Sequence, residues 1–323
     1  MLQLFRNNRI QNHLYVFIYV ILLRLFTFFW DYGSVSTGGI IYDIFGLTFD
    51  GDKGWYRLLS IGLIYYQVIL INRLAELNNL TFANTLLPGI WYPLVLSLIP
   101  EIHPLSPLLV GNTFVLIALA QLFQSIHRNQ RSKRIFNTGF NLMVAVFCDL
   151  SFLYFVPFFI IAANAIILVR VRDIVLYLMG VLAPIYFLMA YWKITDQFMD
   201  SFRQLGLKFR LFEYDFIYGN YGIIKAGLVA LLALMLLLVV NRVVTRTNIF
   251  VRNKLTFLFY MMVWSAVVFG LSFHTQLADL QLVILPVGIL MGLYIVIIKR
   301  VQIAESIHFF MLILAILFQY FLN

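Results

Sequence analysis

The sequence predicts an all-α polytopic membrane protein with about eleven transmembrane helices, a cytoplasmic N-terminus and an external amphipathic helix. The 323 residues are 63% hydrophobic and only 11% charged, whereas a soluble domain carries about 25% charged residues. Many apolar runs approach the roughly 20 residues that a helix needs to cross a bilayer. These runs are continuously apolar, which excludes a β-barrel because barrel strands alternate between lipid and lumen.

Charged residues are sorted along the chain, and this sorting predicts the topology. About half of the 23 Lys and Arg residues lie in short segments between apolar runs, namely 128–134, 170–172, 242–254 and 299–300. Cytoplasmic loops of membrane proteins carry excess Lys and Arg, so these segments are predicted inside and most carboxylates outside. The same rule explains the net charge of +9 without a nucleic-acid partner.

The predicted spans form a single transmembrane domain over residues 1–323. They lie at about 13–30, 55–72, 83–100, 108–126, 173–192, 222–240, 255–273, 280–298 and 303–322, with two more inside 135–169. The run 135–169 has basic residues on both flanks, so it must cross an even number of times. We therefore expect a hairpin of two short helices that turns near Asp149.

Two predicted external segments, 31–54 and 193–221, are too long to be simple turns. In the second, apolar residues recur at spacings of four and three, at Phe198, Phe202, Leu205, Phe209 and Phe212. This period is typical of an amphipathic helix that lies in the membrane interface. Two interpretations stay open, a helix that covers the bundle or rests on lipid and a lid over a lipid-substrate site.

The first external segment contains the carboxylates most suited to chemistry. Asp31 and Asp43 are candidate general bases, because a carboxylate whose pKa is raised by its neighbours accepts a proton near neutral pH. Asp50 and Asp52 have the Asp-x-Asp spacing that holds a metal-bound diphosphate in many sugar transferases, so they are candidate ligands for Mg²⁺ or Mn²⁺. The alternative is that these residues are only loop carboxylates, with Asp50-Gly51 marking a turn.

Two further charged residues fall inside apolar runs, where a charge is costly and rarely faces lipid. Asp149 is the only charged residue between Arg134 and Arg170, and a catalytic role and a structural turn remain open for it. Arg24 lies about two turns below the predicted outer end of the first helix. It is expected either to pair with Asp31 or Asp149 or to extend outward to the headgroups.

Outward-side cations supply candidate contacts for a phosphate-bearing substrate, because Arg and Lys are the usual phosphate-binding side chains. The predicted substrate-binding residues are Arg24, Arg57, His103, Arg203, Lys208, Arg210 and Lys225. Each is alternatively an interfacial anchor or a solvated loop residue. No phosphate loop is present, and the five histidines show no metal-ligand spacing, which argues against an ATPase and a histidine-bound metal enzyme.

The segment from Asn112 to Ala165 carries a resemblance to known proteins. It contains Leu116-Ile117-Ala118-Leu119, a basic loop, Lys133-Arg134-Ile135-Phe136-Asn137-Thr138-Gly139-Phe140, and an apolar hairpin through Phe155-Val156-Pro157. This pattern resembles a family of polytopic inner-membrane proteins from Bacteroidota, a resemblance that implies no activity. The overall plan also resembles the GT-C glycosyltransferases, which use polyprenol-phosphate sugars and place a catalytic Asp or Glu in the first external loop.

Three hypotheses for function follow, all in the bacterial inner membrane. The first is a glycosyltransferase that uses a lipid-linked sugar donor at the external face. The second is a non-catalytic subunit of a secretion, motility or transport complex in the cell envelope. The third is a transporter or lipid flippase, for which Pro88-Gly89 and Pro286-Val287-Gly288 come nearest to a pair of interrupted helices.

Overall fold

The computed structural model describes most of the chain. The described residues are 5–6, 10–25, 39–40, 54–81, 85–102, 105–126, 130–167, 169–196, 198–199, 222–244, 248–271, 277–298 and 300–321. This part of the chain is helical and contains no strand.

Eleven α-helices of eight or more residues lie in these ranges. They are α1 (Ile10–Leu23), α2 (Gly54–Leu77), α3 (Leu87–Leu96), α4 (Pro107–Gln124), α5 (Arg131–Cys148), α6 (Phe155–Ala162), α7 (Val171–Ile194), α8 (Gly222–Val244), α9 (Ile249–Leu271), α10 (Gln281–Ile297) and α11 (Val301–Phe321). Short 3₁₀ turns lie at Pro100–Ile102, Leu150–Tyr154, Ala163–Ala165 and Leu277–Leu280. Each helix falls within or beside a predicted span.

Six of these helices are long and apolar enough to cross a membrane, and the protein is a multi-pass membrane protein. The six stretches are Gly54–Leu77, Pro107–Gln124, Val171–Ile194, Gly222–Val239, Ile249–Gly270 and Val301–Gln319. Shorter apolar helices occupy Gln11–Leu23, Leu87–Leu96, Leu150–Ala165 and Gln281–Ile297. The count of eleven crossings and the cytoplasmic N-terminus stay predictions.

The helices α3 and α10 form the centre of the bundle. Every residue from 85 to 100 is buried, as is every residue from 281 to 293. The two backbones approach closely at two glycines, since a Cβ on Gly288 would lie 2.8 Å from Cα of Tyr92 and one on Gly292 would lie 2.5 Å from Cα of Pro88. Small residues of this kind drive helix association in lipid, because close backbone contact replaces the missing hydrophobic driving force.

The helix α3 is short and contains two prolines. Its ten residues rise about 15 Å, half of a hydrocarbon layer. Pro88 lies in the first turn and Pro93 lies inside the helix, where it cannot donate a backbone hydrogen bond. The N–H of Gly89, which has no partner inside the helix, donates instead to Oδ1 of Asn72 at 2.8 Å.

The remaining helices surround this central pair or extend from it. α2, α4, α8, α9 and α11 contact α3 or α10, whereas α5 packs on α4 and α7 packs on α5. The α5–α7 contact is made at Gly139 and Gly180, each of which lies against the backbone of the other helix. α7 is therefore the outermost helix of the described part, and most of its surface is exposed.

Hydrogen bonds between helix ends show which termini lie together. Nε2 of Gln319 donates to the carbonyls of Leu23 and Ser97, at 3.3 and 3.1 Å. The last turns of α1, α3 and α11 are therefore adjacent, and we call this the Arg24 end. At the opposite end, Nη1 of Arg134 donates to the carbonyl of Gln124 at 2.8 Å, so the start of α5 meets the end of α4. We call this the Arg131 end.

Two local features bear on the predicted spans. The chain leaves the α-helix after Cys148, and Asp149 begins the 3₁₀ turn Leu150–Tyr154, so the break lies at the predicted position. The prediction that Arg24 lies two turns inside the first helix is wrong, because α1 ends at Leu23 and Arg24 follows in a turn. The Gln319 amide satisfies the carbonyl of Leu23, which is one of the orphan acceptors of a helix end.

Candidate functional site

Arg24 lies at the Arg24 end with only 1% of its surface exposed. Nη1 of its guanidinium donates to the carbonyl of Ile102 at 3.4 Å, in the 3₁₀ turn that follows α3. Of the two outcomes left open for Arg24, this burial favours a position inside the protein over extension to the headgroups, while a pair with Asp31 lies outside the described residues. A buried guanidinium inside a membrane protein is costly and marks a functional site by default.

A neutral polar group centred on Tyr92 lies within electrostatic range of Arg24 in the bundle. The hydroxyl of Tyr92 donates to Oε1 of Gln67 at 2.8 Å. Nε2 of Gln67 donates to the carbonyl of Leu109 at 2.7 Å and to Oγ1 of Thr113 at 2.8 Å. Gln67 thus joins α2, α3 and α4, and the charge of Arg24 is close enough to act on the Tyr92 hydroxyl.

The same group continues to the start of α10. Oγ of Ser106 donates to Oε1 of Gln281 at 3.2 Å, and Nδ2 of Asn112 donates to the carbonyl of Gln281 at 3.4 Å. The side chains of Asn112 and Gln281 lie beside the Tyr92 hydroxyl. We call these six residues the Tyr92 cluster: Gln67, Tyr92, Ser106, Asn112, Thr113 and Gln281.

Two polar atoms of the Tyr92 cluster are unsatisfied. Oδ1 of Asn112 and Nε2 of Gln281 have no hydrogen-bond partner among the described residues, and both side chains are fully buried. An unsatisfied buried polar atom costs about 1–3 kcal/mol. The cluster therefore has one acceptor and one donor that a bound polar molecule would satisfy.

Two more ionisable residues lie buried at the Arg24 end. Lys225, in the first turns of α8, is 2% exposed, and Asp279, in the turn Leu277–Leu280, is also buried. This turn contacts both α8 and the turn Pro100–Ile102 that receives Arg24. Arg24 and Lys225 are both predicted to bind substrate. The structure places both of them at the Arg24 end.

Asp149 lies in the connection between α5 and the following 3₁₀ turn, also at the Arg24 end, with 8% of its surface exposed. Burial raises the pKa of its carboxyl, and the N–H of Ser151, which donates to Oδ1 at 2.8 Å, partly opposes this shift. No cation pairs with Asp149 within the described ranges, so the expected Arg24–Asp149 pair is not observed.

Gly39, in the first predicted external segment, lies directly against the backbone carbonyl of Cys148. A side chain at this position would collide with that carbonyl, so glycine allows the close approach. Gly39 therefore lies beside the residue that precedes Asp149.

The other predicted site residues are placed as follows. Arg57 is half-buried in the first turn of α2, at the Arg24 end. The remaining residues lie outside the described ranges: Asp31, Asp43, Asp50, Asp52, His103, Arg203, Lys208 and Arg210. Most of the amphipathic segment 193–221 lies outside them too. Within the described part, no three His, Cys, Asp or Glu side chains are grouped to hold a metal.

None of the predicted site residues belongs to the Tyr92 cluster, whose members are all neutral. Gln67 and Asn112 each stand inside an apolar run, and an isolated amide at such a position is a usable signal. Charge and metal-ligand spacing, the properties that define the predicted site residues, do not select a neutral amide.

Comparison with family models, curated proteins and solved structures finds no match for this chain. The fold and the composition define a class, the multi-pass α-helical membrane proteins. The resemblances to a Bacteroidota family and to the GT-C transferases stay predictions from the sequence.

Proposed function

We propose that this protein binds a lipid-linked sugar at the Arg24 end and transfers the sugar at the outer face of a bacterial inner membrane. One observation carries the proposal, the burial of Arg24 within electrostatic range of a neutral hydrogen-bonding cluster that has an unsatisfied donor and an unsatisfied acceptor. Cations and neutral amides are the two kinds of group that a polyprenol-phosphate sugar requires.

The charged part of the substrate would be held by Arg24 and Lys225. A guanidinium matches the geometry of phosphate oxygens, and an ammonium supplies a compact charge. Both side chains are buried, so their attraction to a phosphate is less screened than that of surface cations. A lipid carrier would enter sideways from the bilayer.

The sugar would be held by the Tyr92 cluster. Hydroxyl groups both donate and accept hydrogen bonds, so they suit the free acceptor of Asn112 and the free donor of Gln281. The Tyr92 ring adds an apolar surface next to these polar atoms.

The transfer itself needs a base for the acceptor hydroxyl. Asp31 is the first candidate because it follows the first helix closely in sequence, with Asp43 and Asp149 as the others. The base accepts the hydroxyl proton, the oxygen bonds to the anomeric carbon, and the lipid phosphate leaves. Asp50 and Asp52 would be the ligands of a divalent metal in this proposal.

The test measures envelope glycan and the accumulated lipid-linked donor in cells that carry single variants. Arg24→Gln and each first-segment Asp→Asn variant are compared with Arg73→Gln, which removes an exposed cation from the other end of α2. We expect at least a tenfold loss of glycan in Arg24→Gln and in one Asp variant, at normal protein level, and no loss in Arg73→Gln. Unchanged glycan in every variant would refute the transferase.

Transport is the second candidate, and the pairing of α3 with α10 favours it. These helices contain the segments Pro88-Gly89 and Pro286-Val287-Gly288 that the sequence singled out, and each is a continuous α-helix. They pack against each other with Tyr92 of α3 beside Gln281 of α10. Central helices with Gly and Pro in their apolar runs are a sequence pointer to the substrate sites of many transporters. Uptake or flipping of a labelled lipid-linked sugar in vesicles, without transfer to an acceptor, would support this candidate over the transferase.

A non-catalytic envelope subunit is the remaining proposal. It predicts that all Asp variants keep normal glycan and that the protein co-purifies with fixed partners after mild detergent extraction. Such a result would count against the transferase, and the absence of flipping in the vesicle assay would count against transport.

A further inference from the structure

The structure joins two basic segments that are separated by the apolar run 135–169. The side chain of Arg131, at the start of α5, forms an ion pair with Asp173, at the start of α7. Nη2 of Arg172 donates to Oγ of Ser132 at 3.4 Å. We call the five cations gathered here the α5–α7 basic cluster: Arg131, Lys133, Arg134, Arg170 and Arg172.

The members of this cluster divide into two groups. The side chains of Arg131 and Arg134 bond to other parts of the protein. Arg131 forms an ion pair with Asp173, and Arg134 donates to the carbonyl of Gln124. Lys133, Arg170 and Arg172 are exposed. The carboxylate of Asp173 is itself occupied, because it accepts from Arg131 and from the backbone N–H of Arg170. The exposed surface is therefore strongly positive.

An apolar surface begins directly beside these exposed cations. Val171 is 78% exposed, and Val175, Leu178 and Leu182 are also exposed on the same side of α7. Their spacing of four, three and four places them in one stripe along the helix. A ligand that fits here has an anionic head and long apolar chains.

We propose that the α5–α7 basic cluster binds the headgroup of an anionic phospholipid, with its acyl chains along this stripe of α7. Basic groups between helix ends on the cytoplasmic side of a membrane recognise such headgroups. An insertion signal requires only the number of cations in a loop. It does not require the ion pair that brings two loops together. The proposal is independent of the function assigned to the Arg24 end.

The test titrates detergent-solubilised full-length protein with phosphatidylglycerol and with phosphatidylcholine, and native mass spectrometry counts the bound lipids. The variant Lys133→Gln/Arg172→Gln removes two exposed cations of the cluster. The matched control Arg73→Gln/Arg252→Gln removes two exposed cations from α2 and α9 at the same end of the bundle.

We expect the protein to prefer phosphatidylglycerol, and the cluster variant to lose about 25-fold in affinity for it, at about fivefold for each cation. The control variant should keep the wild-type affinity. No preference for phosphatidylglycerol, or an equal loss in the control variant, would overturn the proposal. Displacement of the lipid by millimolar inorganic phosphate would overturn it too, by showing a site for a free anion.

Discussion

Gln67 is the residue with the most connections in the Tyr92 cluster. It accepts from Tyr92 on α3 and donates to two groups on α4. In lipid, no water is available to replace these bonds. Gln67 therefore couples three helices, and the Tyr92 hydroxyl is the partner whose loss is simplest to test.

Replacing Tyr92 by Phe should destabilise the fold by about 1 kcal/mol, because Oε1 of Gln67 then loses its donor. Reversible unfolding in sodium dodecyl sulfate measures this change. The control is Tyr66→Phe, because Tyr66 is a tyrosine of α2 with 46% of its surface exposed. The control variant should leave the free energy of unfolding unchanged. A cost in Tyr92→Phe no larger than that of the control would contradict the role assigned to this bond.

The charged residues show which properties of a single residue can be predicted from the sequence. The place of Arg24 in an apolar run left two outcomes open, burial in a pair and extension to the headgroups, and the structure shows a buried side chain. The carbonyl of Ile102 that receives it was not predictable, since the two residues are 78 positions apart. Asp149 was correctly placed at a helix break, but its lack of a cationic partner in the described part was not expected.

At the scale of helices, the contact of α3 with α10 depends on two glycines. Gly288 and Gly292 are four residues apart, so they lie on one face of α10. Each touches the backbone of α3, and a backbone cannot move aside as a flexible side chain can.

The variant Gly292→Ala should therefore lower the free energy of unfolding by about 1–3 kcal/mol, the usual cost of overpacking a core. Gly227→Ala is the matched control, because a Cβ on Gly227 of α8 meets no atom within 4 Å. That variant should raise stability by roughly 0.5–1 kcal/mol, because alanine favours the helix. Thermal unfolding in detergent compares the two variants. Equal shifts of the unfolding temperature in both variants would refute close packing at Gly292.

Helix positions were predictable because hydropathy is a local property of the sequence. The limits of α10, predicted at about 280–298 and found at Gln281–Ile297, show this. α3 was predicted too long, at 83–100 against Leu87–Leu96. Its apolar run continues beyond both ends of the helix. Composition alone does not show that the helix begins beside Pro88 and ends at Leu96.

At the scale of the whole molecule, the two ends of the bundle differ in charge, as the sorting of the sequence predicts. Arg131, Arg134 and Lys254 lie at the Arg131 end, where Nζ of Lys254 donates to Oδ1 of Asn78 at 2.9 Å. The positive-inside rule predicts that this is the cytoplasmic end. The orientation is open to direct test.

Cysteine labelling tests the orientation, because the chain has one cysteine and it is buried. In a Cys148→Ala background, Trp55→Cys should react with an impermeant maleimide from outside intact spheroplasts. Lys133→Cys should react only after permeabilisation. Both positions are exposed and lie at opposite ends. Labelling of both from one side would refute the arrangement of the ends, and the reverse pattern would refute the cytoplasmic N-terminus.

The sequence by itself determined the class of protein, the approximate position of each described helix and the separation of charges between two ends. These properties depend on the composition of short segments, because lipid imposes its demands on each span separately. Only the tertiary structure decided that α3 and α10 share the centre, and that Gln67, Tyr92, Asn112 and Gln281 form one cluster. Ser106 and Gln281 are 175 positions apart, and their contact depends on the order and rotation of packed helices, which hydropathy does not encode.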